Sequence, residues 1–440
     1  MKEGKYMKRR VVSVILTAAM AAALTAGCGG AEESKEKTSA DNGGKKKVTV
    51  WAWDVEYNIP VMEEAAKRYE AKHSDVEIEV MEYAYDDITQ KINTNLSSGI
   101  TEGLPEIMLS EDANVQKYLQ SYPGAFRDMK GEVEFSDFAD YKVKVLTLED
   151  GIYGVPFDIG TEGLFYRKDY MEEAGFSEED LTDITWDEFI EIGKKVKEVT
   201  GKSLMTLDPN TMTIMRDFMQ SSGTWYFTPE GELNMEGNPV IEEGVRIYKE
   251  LMDSGVVKLT TSWGEMAAAL NNGDVATITS GCWIVPTITA QEEQSGLWRV
   301  TRMPRLEVEG GTNYGNRGGS NWLVLKDSEN ADIAADFLNE IFAKDVEFYE
   351  TILKDIGAIG AYIPAQKSEA YNEPVEYFGG EAIWADFAQW AQKVPPINVG
   401  VYSDEADTVL INNMESVLNG TTDIPDMLKK AEELLEAQIR

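Results

Sequence analysis

The sequence predicts an α/β fold with room for two cores. Three observations carry this. KKVTVWAWDVEYNIPVMEEAAKRYEAKHSDVEIEVMEY, residues 46–83, reads as strand, loop, helix, strand, and such a βαβ unit implies neighbouring parallel strands. Short β runs then alternate with amphipathic stretches along most of the chain. Finally, roughly 390 residues follow the polar stretch that ends near Lys47, which suffices for two cores of ordinary domain size.

At the N-terminus, Lys2, Lys5, Lys8, Arg9 and Arg10 precede an apolar run from Val11 to Ala23. The small residues Thr25, Ala26 and Gly27 then lead into Cys28, an export-signal pattern over residues 1–27. The run is shorter than the ~20 residues that span a bilayer. No later stretch reaches that length without charges, so the mature chain is expected to have no transmembrane helix. Residues 28–46 are rich in Gly, Ser, Glu, Lys and Asn and nearly devoid of apolar side chains. They are expected to be a disordered tether.

In the first βαβ unit, Val48 and Val50 lead the strand. Asn58 is placed as the cap of a helix with Pro60 in its first turn. Val61, Ala65 and Tyr69 share one helical face, and Val76, Ile78 and Val80 alternate with acids as a half-buried strand. DITQKINTNLSSG (87–99) reads as a helix, LPEIMLSED (104–112) as a strand running into a loop, and NVQKYLQSY (114–122) as a helix. GIYGVPFDIGTEGLFYRKD (151–169) has β character, is punctuated by glycine and is long for one strand. TWDEFIEIGKKVKEVTG (185–201) carries a capping box, Thr185 with Glu188. GDVATITSGCWIVP (273–286) and GGSNWLVLKDS (318–328) are further β segments, and the chain from Asn330 onward reads as mostly helical.

Charge and residue counts exclude several functions. The formal net charge is −37; without residues 1–27 it is about −41. Such a chain repels phosphate backbones, so nucleic acid is not expected as a partner, and anionic lipid headgroups repel its body. Two cysteines make no disulfide framework. The single histidine, His73, is read as a solvated loop residue; one histidine excludes His-rich metal sites and argues against a Ser-His-Asp triad. No GxSxG, Walker loop or HExxH occurs, and the acids are too numerous for a glycosidase pair to be singled out. Cys282 is read as a small buried apolar residue. No catalytic residue, metal or cofactor is assigned.

Aromatic side chains instead gather where strands end, the position at which open α/β sheets bind ligands. Trp51, Trp53, Asp54, Tyr57 and Asn58 close the first strand; Trp51 is assigned to the core and Trp53 to the ligand. Glu111, Asp112 and Asn114 follow the strand in 104–112. Asp158, Thr161 and Glu162 lie in the glycine-punctuated segment. Trp225 and Tyr226 follow Ser221-Ser222-Gly223. Ser280, Cys282 and Trp283 end a strand; Arg317, Gly318, Gly319, Ser320 and Trp322 form another group; Tyr377, Phe378, Trp384 and Trp390 come late. Aromatic faces beside carboxylates and amides suit a sugar, whose C–H faces stack on an indole while its hydroxyls pair with side-chain oxygens and nitrogens. Trp186 is assigned to packing, and Trp298 and Trp390 are left open between core and surface.

Together these segments resemble the extracellular solute-binding proteins of ABC importers, in the oligosaccharide-binding branch. The carriers are TVWAWDVEYNI, GIYGVPFDIGTEGLFYRKDYMEEAGF, TWDEFIEIGKKVK, GDVATITSGCWIVP and RGGSNWLVL. The resemblance implies a two-lobe periplasmic-binding-protein fold of type II, with hinge-linked lobes and a ligand cleft between them. It divides the chain into residues 47–157 and 319–356 for one lobe and 158–318 and 357–440 for the other, with crossings at Gly154–Thr161, near Gly318–Trp322 and around Gly357–Pro364. It places Trp53, Asp54, Tyr57, Asn58 and Asp112 on the first lobe's wall, Asp158 and Glu162 by the hinge, Trp225, Ser280, Trp283 and Trp384 on the second lobe, and Ser320 on the second crossing. Residues 24–28 resemble a bacterial lipoprotein lipobox, which implies acylation of Cys28. Thr25 stands where such sites usually have leucine, so an ordinary signal-peptidase cut is the alternative. The implied protein is a monomer, anchored only by its lipid to the outer face of the cytoplasmic membrane, that hands a carbohydrate to ABC permease subunits. The rivals are the same fold binding a polyamine, a secreted glycoside hydrolase, and an adhesin without hinge closure.

Overall fold

A computed structural model describes residues 45–55 and 57–439. The expected export signal, Cys28 and the tether up to residue 44 lie outside the described residues. The fold begins slightly earlier than the sequence suggests: Lys46 already belongs to the first strand, and its N–H donates to the Asp75 carbonyl at 2.8 Å.

Numbering only the strands of the two larger sheets, β1 is Lys46–Ala52, β2 Val76–Glu82, β3 Ile107–Glu111, β4 Val155–Pro156, β5 Glu162–Arg167, β6 Thr277–Gly281, β7 Trp298–Thr301 and β8 Ser320–Val324. The first sheet has the order β2-β1-β3-β8-β4. As the βαβ reading requires, β1 runs parallel to β2, with Val48 opposite Ile78, and to β3, with Val50 opposite Ile107. Strand β8 returns antiparallel to both β3 and β4. The second sheet, β6-β5-β7, is antiparallel, with Phe165 opposite both Ile278 and Val300.

Side-chain alternation sorts each sheet's faces into separate cores. Val48, Val50, Ile107, Leu109, Trp322 and Val324 enter one apolar cluster that continues through Phe157 and Ile159 to Phe165, Ile278 and Trp298. The opposite face of the first sheet, with Trp51, Met108 and Leu323, packs on Ile88, Ile92 and Val115. The opposite face of the second sheet, with Leu164 and Tyr166, packs on helices that include Trp186–Thr200, Pro239–Ser254 and Ser403–Leu418. Trp186, Trp298 and Trp390 are all buried, which settles the last two as core.

The glycine-punctuated segment is not one strand. It breaks into Gly151–Ile152, β4 and β5, and its irregular stretch 157–161 leaves the first sheet for the second. Two other stretches run beside it. Phe157 N–H donates to Ser320 O at 3.0 Å, Arg317 N–H to Gly160 O at 2.8 Å, Ile159 N–H to Ile359 O at 3.0 Å and Ala361 N–H to Phe157 O at 2.8 Å. At Gly160 a Cβ would run into the Arg317 carbonyl, so glycine permits this close approach. Three chain segments therefore run side by side at the junction of the two sheets.

The capping box at Thr185 is present: Glu188 N–H donates to Thr185 Oγ1 at 3.2 Å, and Thr185 N–H to Glu188 Oε2 at 2.8 Å. Asn58 is not a cap. It is the first helical residue, after Tyr57, and no side chain caps that helix. His73 is not loosely solvated either. Its ring stacks on Tyr69 at 4.0 Å, and its Nε2 lies 2.9 Å from Glu340 Oε2. Asp336 is close to both, but Tyr69 Oη and Lys72 Nζ already bond the two carboxylates, which leaves little for a metal. Among the described residues no helix is long and apolar enough to cross a membrane.

Candidate functional site

A cavity of about 1110 Å³ opens where the strand ends of the two sheets face each other beside the linking segments. The structure brings nine of the twelve sequence-predicted site residues to its wall: Asp54, Tyr57, Asn58, Asp112, Asp158, Trp225, Ser280, Trp283 and Ser320. Trp53, Glu162 and Trp384 are not on it.

Asp54 sits in the left-handed region, with φ of 71°, which Asp tolerates better than most residues. Its Oδ1 accepts the Tyr57 N–H at 3.2 Å and its carbonyl the Ile59 N–H at 3.0 Å. This turn starts the helix Asn58–Lys72 and aims Tyr57 at the linking segments. Tyr57 Oη donates to Asp158 Oδ2 at 3.2 Å, and the Ser320 N–H donates to Asp158 Oδ1 at 2.6 Å. Burial raises the Asp158 carboxyl to about 7, against the pull of the Lys142 charge. Asp112 is the counter-ion of Lys142, which is wholly buried. Asn321 Nδ2 donates to the same carboxylate at 2.7 Å, and Lys142 also reaches Ser320 O at 3.1 Å. Three predicted polar residues, Asp112, Asp158 and Ser320, thus belong to one internal network.

The facing wall is aromatic. Trp283 lies in a 3₁₀ turn, Cys282–Ile284, directly after β6. Its Nε1–H donates to Arg317 O at 2.7 Å, and a Cβ at Gly281 would collide with the indole, so this glycine is what lets the ring lie against the backbone. Trp225 is almost buried, its Nε1–H donating to Ser403 Oγ at 2.8 Å. Arg216 approaches its ring at 6.0 Å while pairing with Asp404 at 3.0 Å and Asp407 at 2.8 Å. Asp112 Oδ2, Thr279 Oγ1 and Ser280 Oγ are buried with no hydrogen-bond partner, so hydrogen-bonding capacity is left over at this lining.

The three residues off the wall have physical reasons. Trp53 lies just past the end of β1, where it packs edge-on to Tyr85 at 5.1 Å and against the apolar clusters on both faces of the first sheet. Trp384 packs from the helix Ile383–Ala391 onto the larger apolar cluster. Glu162 is wholly buried one layer behind the wall, 3.4 Å from Arg317 Nε. Burial and then the Asp217 charge push its carboxyl well above the usual range. Arg317 turns its fork to Asp217, with Nε–Oδ1 at 3.0 Å and Nη2 bonded to Oδ2.

Sequence reading missed Trp263, Arg216 and Asp217, all on the wall. None carried a local signal. Trp263 directly follows the helix cap Ser262, but Trp186 follows the cap Thr185 in the same way and is wholly buried. Arg216 and Asp217 lie in the amphipathic helix Thr213–Ser221.

The family model for bacterial extracellular solute-binding proteins matches residues 64–379. The chain is 43% identical over 432 residues, 98% of each chain, to a lactose-binding protein of Rhizobium radiobacter. It is 24% identical over 401 residues, 87% of each, to an arabinooligosaccharide-binding protein of Halalkalibacterium halodurans. Among solved structures it resembles a family 1 extracellular solute-binding protein with a TM-score of 0.74 and 22% identity, covering 89% of this chain and 99% of that one. The galacto-N-biose-/lacto-N-biose I-binding protein of Bifidobacterium longum, in complex with lacto-N-biose, gives a TM-score of 0.70 at 19% identity, covering 90% and 98%. These structural likenesses agree on the two-lobed α/β fold.

Proposed function

The chain belongs to the bacterial extracellular solute-binding proteins, and on that premise we propose that it captures a galactose-containing di- or oligosaccharide, of the lactose type, for an ABC permease. The observation that carries the sugar reading is one cavity lined both by tryptophans, Trp283 and Trp225 among them, and by hydrogen-bonding side chains, Asp54, Tyr57 and Asn58 among them. The 43% identity to a lactose-binding protein narrows it to that sugar type. The protein does no covalent chemistry in this reading. Residues 47–157 with 319–356 and 158–318 with 357–440 form the two lobes. The three linking segments bend as a hinge, and ligand contacts from both walls stabilise the closed state. Cys28 carries the lipid that holds the protein at the outer face of the membrane, as a monomer.

Against a polyamine, three acids on the wall are already engaged: Asp112 pairs with Lys142, Asp217 with Arg317, and Asp158 accepts two hydrogen bonds. A thermal-shift panel of lactose, galacto-oligosaccharides, maltose, arabino-oligosaccharides and putrescine tests the assignment. Ligand at 100 times its Kd adds about 2.7 kcal/mol of stability, so lactose-type sugars are expected to raise the melting temperature and putrescine to leave it unmoved. A shift with putrescine alone keeps the fold and overturns the ligand. Turnover of lactose by pure protein overturns the binding-only role.

A further inference from the structure

We propose that Trp263 is a second stacking platform, taking the sugar ring next to the one on Trp283, so that the cavity selects ligands of two or more rings. This role rests on the sugar-binding reading and adds the length of ligand that the site prefers. Trp263 is 54% exposed, and it is the one tryptophan among the large apolar residues that stand exposed in the described part of the chain. Apolar surface of that size left open on a cavity wall is surface that a ligand can cover.

Its position is fixed from behind. Trp263 opens the helix Trp263–Asn271, whose start is held by Ser262 Oγ accepting the Glu265 N–H at 3.3 Å and by Glu265 Oε2 accepting the Thr261 N–H at 2.7 Å. The ring therefore projects from a closed capping turn. Its centroid lies 5.8 Å from that of Trp283, with the planes tilted by 36°. A sugar ring held between two parallel indoles needs two van der Waals layers, about 7 Å or more, so the pair does not sandwich one ring. Offset and tilted, the indoles make two panels of one wall. Trp283 is pinned through its N–H to Arg317 O, whereas the Trp263 indole makes no hydrogen bond among the described residues and stands 54% exposed.

The test is isothermal titration of the full-length protein and its Trp263→Ala and Trp263→Phe variants with lactose, a galactose-extended trisaccharide and galactose. Trp263→Ala is expected to weaken lactose and the trisaccharide at least tenfold while changing galactose less than twofold, and Trp263→Phe is expected to recover part of the loss. An equal loss for galactose and lactose, or none for either, overturns the second platform and leaves the sugar reading standing. Wild-type protein that binds no sugar in the series overturns both. Acrylamide quenching gives an independent readout: lactose is expected to shield more of the wild-type tryptophan emission than of Trp263→Phe, in which only the ring on Trp283 is left to cover. Equal shielding in the two proteins also counts against the platform.

Discussion

On the first-sheet side of the cavity the polar groups are engaged with one another, whereas on the second-sheet side the rings stand with a face free. Asp112 holds Lys142 and Asn321, and Asp158 holds Tyr57 and Ser320. Trp283 and Trp263 are anchored through an indole N–H and a helix cap, and present apolar surface. The difference teaches that the two walls work differently. On the sugar-binding proposal, the polar wall is a prebuilt frame whose groups cost little reorganisation when a ligand arrives. The aromatic wall supplies contact area that is gained only when something covers it.

The contrast breaks most severely at Lys142. Lys142→Met removes the cation and leaves Asp112 as a buried carboxylate without its partner, which costs about 3–5 kcal/mol. Urea unfolding is expected to show a loss of that size, and lactose affinity is expected to fall with it because Ser320 loses a contact. A loss under about 1 kcal/mol would mean that the pair is not what holds this wall.

Asp158 sharpens the same wall through pH. Its carboxyl titrates at about 7 in the fold against 3.8 when free, so the folded state holds this proton between those values and the unfolded state does not. The stability it contributes is fully present below about pH 4 and is lost as pH rises through 7, with a span of about 4 kcal/mol at most. Asp158→Asn keeps a donor for Tyr57 Oη and an acceptor for the Ser320 N–H. The variant is expected to flatten the decline of wild-type melting temperature between pH 5 and 8. Parallel wild-type and variant curves would place the proton elsewhere, Glu162 and Glu381 being the other carboxyls that burial raises well above their usual range.

On the aromatic wall, Trp283→Ala is expected to lower affinity for lactose at least tenfold, which is about 1.4 kcal/mol. The apo protein is expected to lose about 1 kcal/mol, because one hydrogen bond to Arg317 O goes with the ring. Calorimetric titration beside apo melting separates the two. A large apo loss with unchanged affinity would make Trp283 core instead.

These walls were unequally legible in the sequence. Elements with a local signature read directly, such as the βαβ unit from Val48 to Val80 and the capping box at Thr185, because spacing over a few residues decides them. Residues at strand ends, such as Asp54 and Trp283, came to the cavity because strand ends point there whatever the details. Partnerships did not read at all. Lys142 and Asp112 are thirty residues apart, and nothing in the spacing shows that one neutralises the other. Trp53 went astray because it lies just past the end of β1, where no strand period decides whether the ring turns to the cavity or packs on the sheet. Trp384 and Glu162 went astray because packing behind a wall and lining it look alike in a string of letters.

An ion pair beside the wall residue Arg216 offers the smallest effect. Lys117, on the helix Asp112–Ser121 of the first-sheet side, lies 4.0 Å from Asp404 on the helix Ser403–Leu418 of the other side, and Asp404 also accepts Arg216 Nη2 at 3.0 Å. Both partners are partly exposed, at 38% and 68%, so the pair is worth ~0.2–1 kcal/mol and is screened by salt. In the proposed two-lobe division it joins one lobe to the other, so its energy would count only in the closed state. Lys117→Ala is therefore expected to weaken lactose binding by up to about fivefold at low salt, mostly through faster release, and to match wild type at high salt. Stability of the apo protein is expected to change little. A variant whose affinity deficit persists at high salt would show that Lys117 acts through packing of its stem, and the ion pair would then carry no part of closure.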